Sequence, residues 1–267
     1  MTQSVRHKAK KIVRAGFRQL GYDVQRLPRS WPASAKLVVF QEGTRGHRIE
    51  FVGASGVGKT TLFSELIRVR DDDDRWIPVS ELLDQRELSR MRGDQVDDAY
   101  EKLFDLKISS VYDWDLGSLD KGLVLGWCHR LVMIDATINS VETDSHVILD
   151  EGLLQQFGDA VMDLHGQCAD SVDRLLANRA VVHCWATPQI ITERIFSTQR
   201  QGSTWVLHQG LTRDELLECS TRSLARKAAL VRFLRERGVA YLDVETNDDL
   251  ETNVQRVRSF VGSLGLT

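Results

Sequence analysis

The sequence predicts a three-layer α/β fold, a parallel sheet covered by helices on both faces. Three observations carry the prediction. Apolar runs alternate with helical stretches through most of the 267 residues, a glycine-rich loop joins one run to a helix, and a carboxylate closes a later run. Leu37 to Phe40 reads as a strand, joined by a Gly-containing turn to the run Arg48-Ile49-Glu50-Phe51-Val52. A helix follows from Lys59 to about Arg70, with Leu62, Leu66 and Val69 on one face. Trp76 to Val79 is strand-like, and helical stretches are expected over 81–91, 95–107 and 118–141. His146 to Asp150, Ala180 to Trp185 and Val239 to Val244 are buried-strand patterns with helices between them. Thr187-Pro188 marks a helix start and Thr212-Arg213-Asp214-Glu215 a capping box.

The stretch Gly53-Ala54-Ser55-Gly56-Val57-Gly58-Lys59-Thr60 fits G-x-x-x-x-G-K-[ST] between a strand and a helix. Glycines at this spacing let successive backbone N–H groups turn inward around an anion, and the helix N-terminus adds the positive end of its dipole. The motif makes the expected fold a P-loop NTPase fold and the expected ligand a nucleoside triphosphate. Gly53, Ser55, Gly56, Val57, Gly58, Lys59, Thr60 and Thr61 are the candidate nucleotide-binding residues. Lys59 reaches the β- and γ-phosphates, and the Thr60 hydroxyl is placed for Mg²⁺. ATP is the expected donor, with GTP the alternative that no spacing separates.

About ninety residues on, Val147-Ile148-Leu149-Asp150-Glu151-Gly152 puts a carboxylate at the C-terminal end of a buried strand, where open α/β sheets gather their ligands. Asp150 is the candidate Mg²⁺ residue, directly or through water, and Glu151 the candidate base for an attacking hydroxyl or water. Those two roles are interchangeable, and capping of the following helix is the competing reading. Arg194, and Arg200 shortly before Gly202, suggest an arginine-bearing lid that neutralises charge on a transferring phosphoryl group. Their six-residue separation puts them about 120° apart on one helix, so convergence requires the chain to leave the helix before Arg200. Between 76 and 135, Arg86, Arg90 and Arg92 with Tyr100, Tyr112, Trp114 and Trp127 offer charge and flat surfaces to an acceptor. Pairing of the arginines with Glu87 and Asp94 competes with that role. His129 beside Arg130 reads as a helix surface residue, and Asp71 to Asp74 as a solvated loop.

Composition narrows the class. The chain is 42% hydrophobic and 27% charged, with no apolar run long enough for a bilayer, since Leu123 to Ile134 is broken by His129 and Arg130. Four separated cysteines without a C-x-x-C pair suggest neither disulfides nor zinc, and point to a reducing cytoplasm. Residues 1–30 hold eight Lys or Arg against Asp23 alone, while the whole chain carries −3. Within them Val5, Ala9, Ile12, Val13, Phe17 and Leu20 recur at helical spacing. This basic helix either packs on the acidic domain behind it or lies peripherally on an anionic membrane; nucleic acid and a cleaved transit peptide are the minor readings. Residues 1–36 are therefore a basic segment and linker, and residues 37–267 the P-loop domain.

Taken in order, GASGVGKTT, VILDEG, ATPQIITERI with a following arginine and glycine, and VAYLDVETNDD resemble the P-loop kinases of the nucleoside and nucleotide kinase group, most nearly thymidylate-kinase-like proteins. The resemblance covers roughly residues 48 to 265, and its most specific part is the phosphate loop. It implies strand order 2-3-1-4-5, ATP with Mg²⁺, phosphoryl transfer to a small-molecule acceptor, and adenine held between the lid arginine and the loop near Thr246 and Asn247. Thymidylate kinases carry Asp-Arg where this chain has Asp150-Glu151-Gly152, so their acceptor contacts do not carry over and the acceptor is not expected to be thymidylate. The segment Phe17 to Val24 is loosely similar to leaders of bacterial surface-polysaccharide enzymes, which favours a sugar or sugar phosphate. A kinase with Lys59, Asp150, Glu151, Arg194 and Arg200 as catalytic residues is the leading reading. A regulatory switch ATPase, in which Glu151 activates water, is the alternative.

Overall fold

The computed structural model describes residues 46–82, 97–140, 143–200 and 208–265, except for the side chain of Arg200. The basic segment, the strand expected at Leu37 to Phe40, the arginines 86, 90 and 92, and Gly202 lie outside the described residues.

In chain order the elements are β1 (Arg48–Val52), α1 (Lys59–Arg68), β2 (Trp76–Pro78), α2 (Val79–Leu82), α3 (Asp98–Tyr112) and α4 (Ser118–Ser140). They continue with β3 (His146–Leu149), α5 (Leu153–His165), α6 (Ala169–Leu176), β4 (Arg179–Trp185), α7 (Pro188–Arg200), α8 (Arg213–Glu236), β5 (Ala240–Glu245) and α9 (Leu250–Ser263). The five strands form one parallel sheet in the order β2-β3-β1-β4-β5. This is the three-layer P-loop arrangement, and the order is the one the resemblance implied.

Strand periodicity sorts the core into two layers. Ile49, Phe51, Ala180 and Val182 face one side, where Leu62 and Leu66 of α1, Ile191 and Ile195 of α7, and Val254 and Val257 of α9 cover them. Val52 and Val181 face the other, under Tyr100 and Leu103 of α3, Val124 of α4, Phe157 and Val161 of α5, and Leu230 and Leu234 of α8. Among the described residues no helix is long and apolar enough to cross a membrane.

The second layer contains charge. Arg48 and Glu50 alternate with Ile49 and Phe51, yet all five residues of β1 are buried. Arg179 of β4 pairs with both Glu50 and Asp135. Arg48 reaches Asp135 at 3.4 Å and the carbonyl of Ala177 at 2.8 Å, and the Tyr100 hydroxyl donates to Asp135 at 2.6 Å. Two guanidinium groups thus balance two carboxylates out of water, the condition under which buried charge is tolerated. Tyr100, expected as a flat surface for an acceptor, is instead a core residue 2% exposed, with its ring in the apolar layer and its hydroxyl on the charge cluster.

Element ends follow side-chain chemistry. Asp97 caps α3 by accepting from the amide of Ala99, so that helix runs from Asp98 to Tyr112 rather than over 95–107. The Thr212–Glu215 capping box is present at α8. Asp71 and Asp74 share Arg258 of α9, which ties the aspartate loop to the C-terminal helix.

Candidate functional site

β1 and β3 are adjacent, and both release the chain at the C-terminal edge of the sheet. The glycine-rich loop and Asp150 are therefore neighbours although 90 residues separate Thr60 from Asp150. Gly56 and Gly58 have φ of 75° and 109°, which side chains with a Cβ rarely adopt. Gly58 is also the N-cap of α1, which has no side-chain cap and no acidic residue in its first turn. Its N–H groups are left to an anion. Ser55, Gly56, Thr60 and Thr61 are exposed along this mouth, while Val57 is buried beneath it.

Lys59 lies 8% exposed across the loop, donating to the carbonyls of Gly53 at 3.0 Å and Ala54 at 3.1 Å. Burial lowers its pKa, opposed by the negative charge of Glu151 and Asp150 and by Cys184. The Thr60 hydroxyl donates to Asp150 Oδ2 at 3.1 Å. Asp150 Oδ1 is buried and has no hydrogen-bond partner among the described residues, and burial raises the carboxyl's pKa against the pull of Thr60 and Lys59. An orphaned carboxylate oxygen beside a hydroxyl at the foot of a phosphate cradle fits Mg²⁺, which takes few protein ligands and completes its shell with water and phosphate. Among the described residues no cluster of three or more His, Cys, Asp or Glu offers a dedicated metal cage.

The carboxylates after β3 do not cap α5. Its N-cap is Gly152, without a side-chain bond, and the amide of Leu154 is instead held by Glu50 Oε2 at 2.8 Å. Glycine is needed at 152 because an added Cβ would lie 2.3 Å from that carboxylate. Glu50 thus anchors the turn from beneath and leaves Asp150 to Thr60. Glu151 accepts from Gln156 Nε2 at 3.1 Å.

Gln155 is a site residue that sequence reasoning missed. Its side chain receives the amide of Gly53 and donates to the carbonyl of Gly53, both at 3.0 Å, clamping the first residue of the loop to α5. A glutamine one turn into a helix carries no sequence signal for this role, apart from following Asp-Glu-Gly. Gln155→Leu would leave a buried amide without an acceptor, a cost of about 1–3 kcal/mol. The expected outcome is a melting temperature several degrees lower and weaker binding of nucleotide, read by calorimetry.

Arg194 of α7 meets both the loop, next to Gly58, and the turn after β5. Its guanidinium donates to the carbonyl of Val57 at 2.6 Å, to the Thr246 hydroxyl at 3.2 Å and to the Thr246 carbonyl at 3.1 Å, bracing the loop against the turn after β5. α7 continues through Arg200, so the exit from the helix that convergence of the two arginines required is not there. Arg213 pairs with Glu193 on the surface. Tyr112 is exposed, Trp114 is half-buried beneath Lys107, and His129 stacks edge-on against Phe104 on the outside of α4.

No family model matches this chain, and no curated protein does. Among solved structures it is similar to a shikimate kinase from Acinetobacter baumannii in complex with shikimate. That match has 16% identity and a TM-score of 0.43, covering 82% of this chain and 94% of the other. It is also similar to a deoxyadenosine kinase from M. mycoides with bound dATP, with 13% identity and a TM-score of 0.42, covering 81% of this chain and all of the other (100%).

Proposed function

We propose that the protein is an ATP-dependent small-molecule kinase. The observation that carries this reading is the pairing of Thr60 with Asp150 beside the phosphate loop, with Asp150 Oδ1 buried and unpartnered among the described residues and Glu151 next in the chain. The loop amides and the N-terminus of α1 hold the phosphates of ATP. Lys59 exchanges the carbonyls of Gly53 and Ala54 for phosphate oxygens, which offer an ammonium a stronger, charge-assisted bond. Thr60 and Asp150 hold Mg²⁺, which when bound neutralises charge on the β- and γ-phosphates. Arg194 steadies the loop at Val57 and lies beside Thr246, where the nucleotide base is expected. Glu151 orients the acceptor hydroxyl and takes its proton.

Glu151→Gln separates these roles. Transfer of label from γ-labelled ATP to pooled hydroxyl acceptors is expected to fall by about 10²–10⁴-fold, the usual contribution of a positioned base, while the affinity for Mg·ATP changes little. Label released only as inorganic phosphate, at a rate no acceptor changes, would favour the switch ATPase instead.

A further inference from the structure

Two lysines from different helices meet the first turns of α5 beside the site. Lys107 Nζ of α3 donates to the carbonyl of Gln156 at 2.8 Å, and Lys227 Nζ of α8 donates to the carbonyl of Gln155. Both are half-buried, and neither forms an ion pair with a carboxylate among the described residues. The residues they hold are themselves part of the site, since Gln155 clamps Gly53 and Gln156 donates to Glu151. Beneath Lys107 lie the rings of Trp114 and Phe157, 5.3 Å and 5.7 Å from its nitrogen, which exclude water from that side. Burial pushes the pKa of both ammonium groups down, that of Lys227 to about 8, where Lys59 and Lys107 also repel it and Asp159 and Glu151 attract it.

Like charges drawn together away from water are costly; Asp159 attracts both ammonium groups without pairing with either, and each, with three donors, has one hydrogen-bond acceptor among the described residues. ATP employs Lys59. The other two remain for an anion that arrives separately, on the side where an acceptor has to meet Glu151. A doubly charged phosphate matches a pair of ammonium groups better than a single carboxylate does.

We propose that Lys107 and Lys227 bind a phosphate carried by the acceptor, so that the substrate is a hydroxyl compound already bearing a phosphomonoester. The proposal rests on the kinase reading. In the reaction the acceptor oxygen forms a bond to the γ-phosphorus as the bond from that phosphorus to the β–γ bridging oxygen breaks. ADP leaves with the bonding electrons, and the acceptor proton passes to Glu151.

The test is calorimetric titration of inorganic phosphate into the full chain saturated with Mg²⁺ and a non-hydrolysable ATP analogue, which occupies the phosphate loop. The wild type is expected to bind phosphate, and Lys107→Met and Lys227→Met, which keep the aliphatic stems packed, are each expected to weaken it about tenfold. A wild type that does not bind phosphate below about 10 mM overturns the proposal, whatever the stability of the variants. Equal binding by the variants overturns it as well, and acetate binding as tightly as phosphate overturns the choice of phosphate. The preceding titration of the analogue reports on the kinase reading separately. If the analogue does not bind, that reading fails, and phosphate titrated into Lys59→Met still reads the two lysines.

Discussion

Lys59→Met is expected to reduce phosphoryl transfer by about a hundred- to a thousandfold, the usual consequence of removing one positioned group that stabilises developing charge. The same substitution is expected to leave the melting temperature unchanged or slightly raised. Lys59 is almost fully buried and its donors go to neutral carbonyls, so burial of its charge is only partly compensated. Methionine keeps the stem and removes that charge. The Gly53 carbonyl retains the Gln155 side-chain amide as a donor. Activity assays and thermal melts on one preparation check both halves. Retained turnover would remove Lys59 from the mechanism, and a large fall in melting temperature would make it a structural residue.

Arg179→Met is expected to be the most destabilising single change. Arg179 is 2% exposed and is paired with both Glu50 and Asp135. Without it two carboxylates remain buried, offset by Arg48 at 3.4 Å from Asp135, by the Tyr100 hydroxyl on Asp135 and by the Leu154 amide on Glu50. Breaking a buried pair by removing one partner costs about 3–5 kcal/mol. For a domain of this size that corresponds to a fall of about 10 °C in melting temperature. Glu50→Gln in the same background should recover part of the loss by removing one uncompensated charge, and the double-mutant cycle measures how much. A fall below about 2 °C for Arg179→Met would show the cluster to be far more solvated than its burial implies. Because Glu50 also holds the amide of Leu154, the turn carrying Asp150 and Glu151 loosens with it, and activity should fall along with stability.

The parts of the site that are local in sequence were readable there. Residues 53 to 60 carry their own loop geometry, and Asp150 follows a run of buried strand residues, so strand, loop and carboxylate are legible in the sequence itself. What joins distant residues was not. Arg48 and Glu50 look like the solvent-facing half of an alternating strand, and only the contact with Arg179, 129 residues beyond Glu50, shows why they are buried. Tyr100 looked like a ligand-stacking ring because nothing in the sequence points to its partner Asp135, 35 residues away. Gln155, Lys107 and Lys227 have the composition of ordinary helix surfaces, and their roles arise from how α3, α5 and α8 pack. Arg194 lies on a helix whose start, Thr187-Pro188, is legible in the sequence. Its partners, Val57 and Thr246, came only from the way α7 lies against the loop and the end of β5.

The most direct measurement is a mass-spectrometric screen of the purified protein with Mg²⁺ and ATP against pooled nucleosides, nucleoside monophosphates, sugars and sugar phosphates, with ADP release in the absence of acceptor as the baseline. The kinase assignment predicts a product heavier by one phosphoryl group, formed in step with ADP above that baseline and lost in Lys59→Met. ADP release that no acceptor accelerates, with no phosphorylated product, would contradict it.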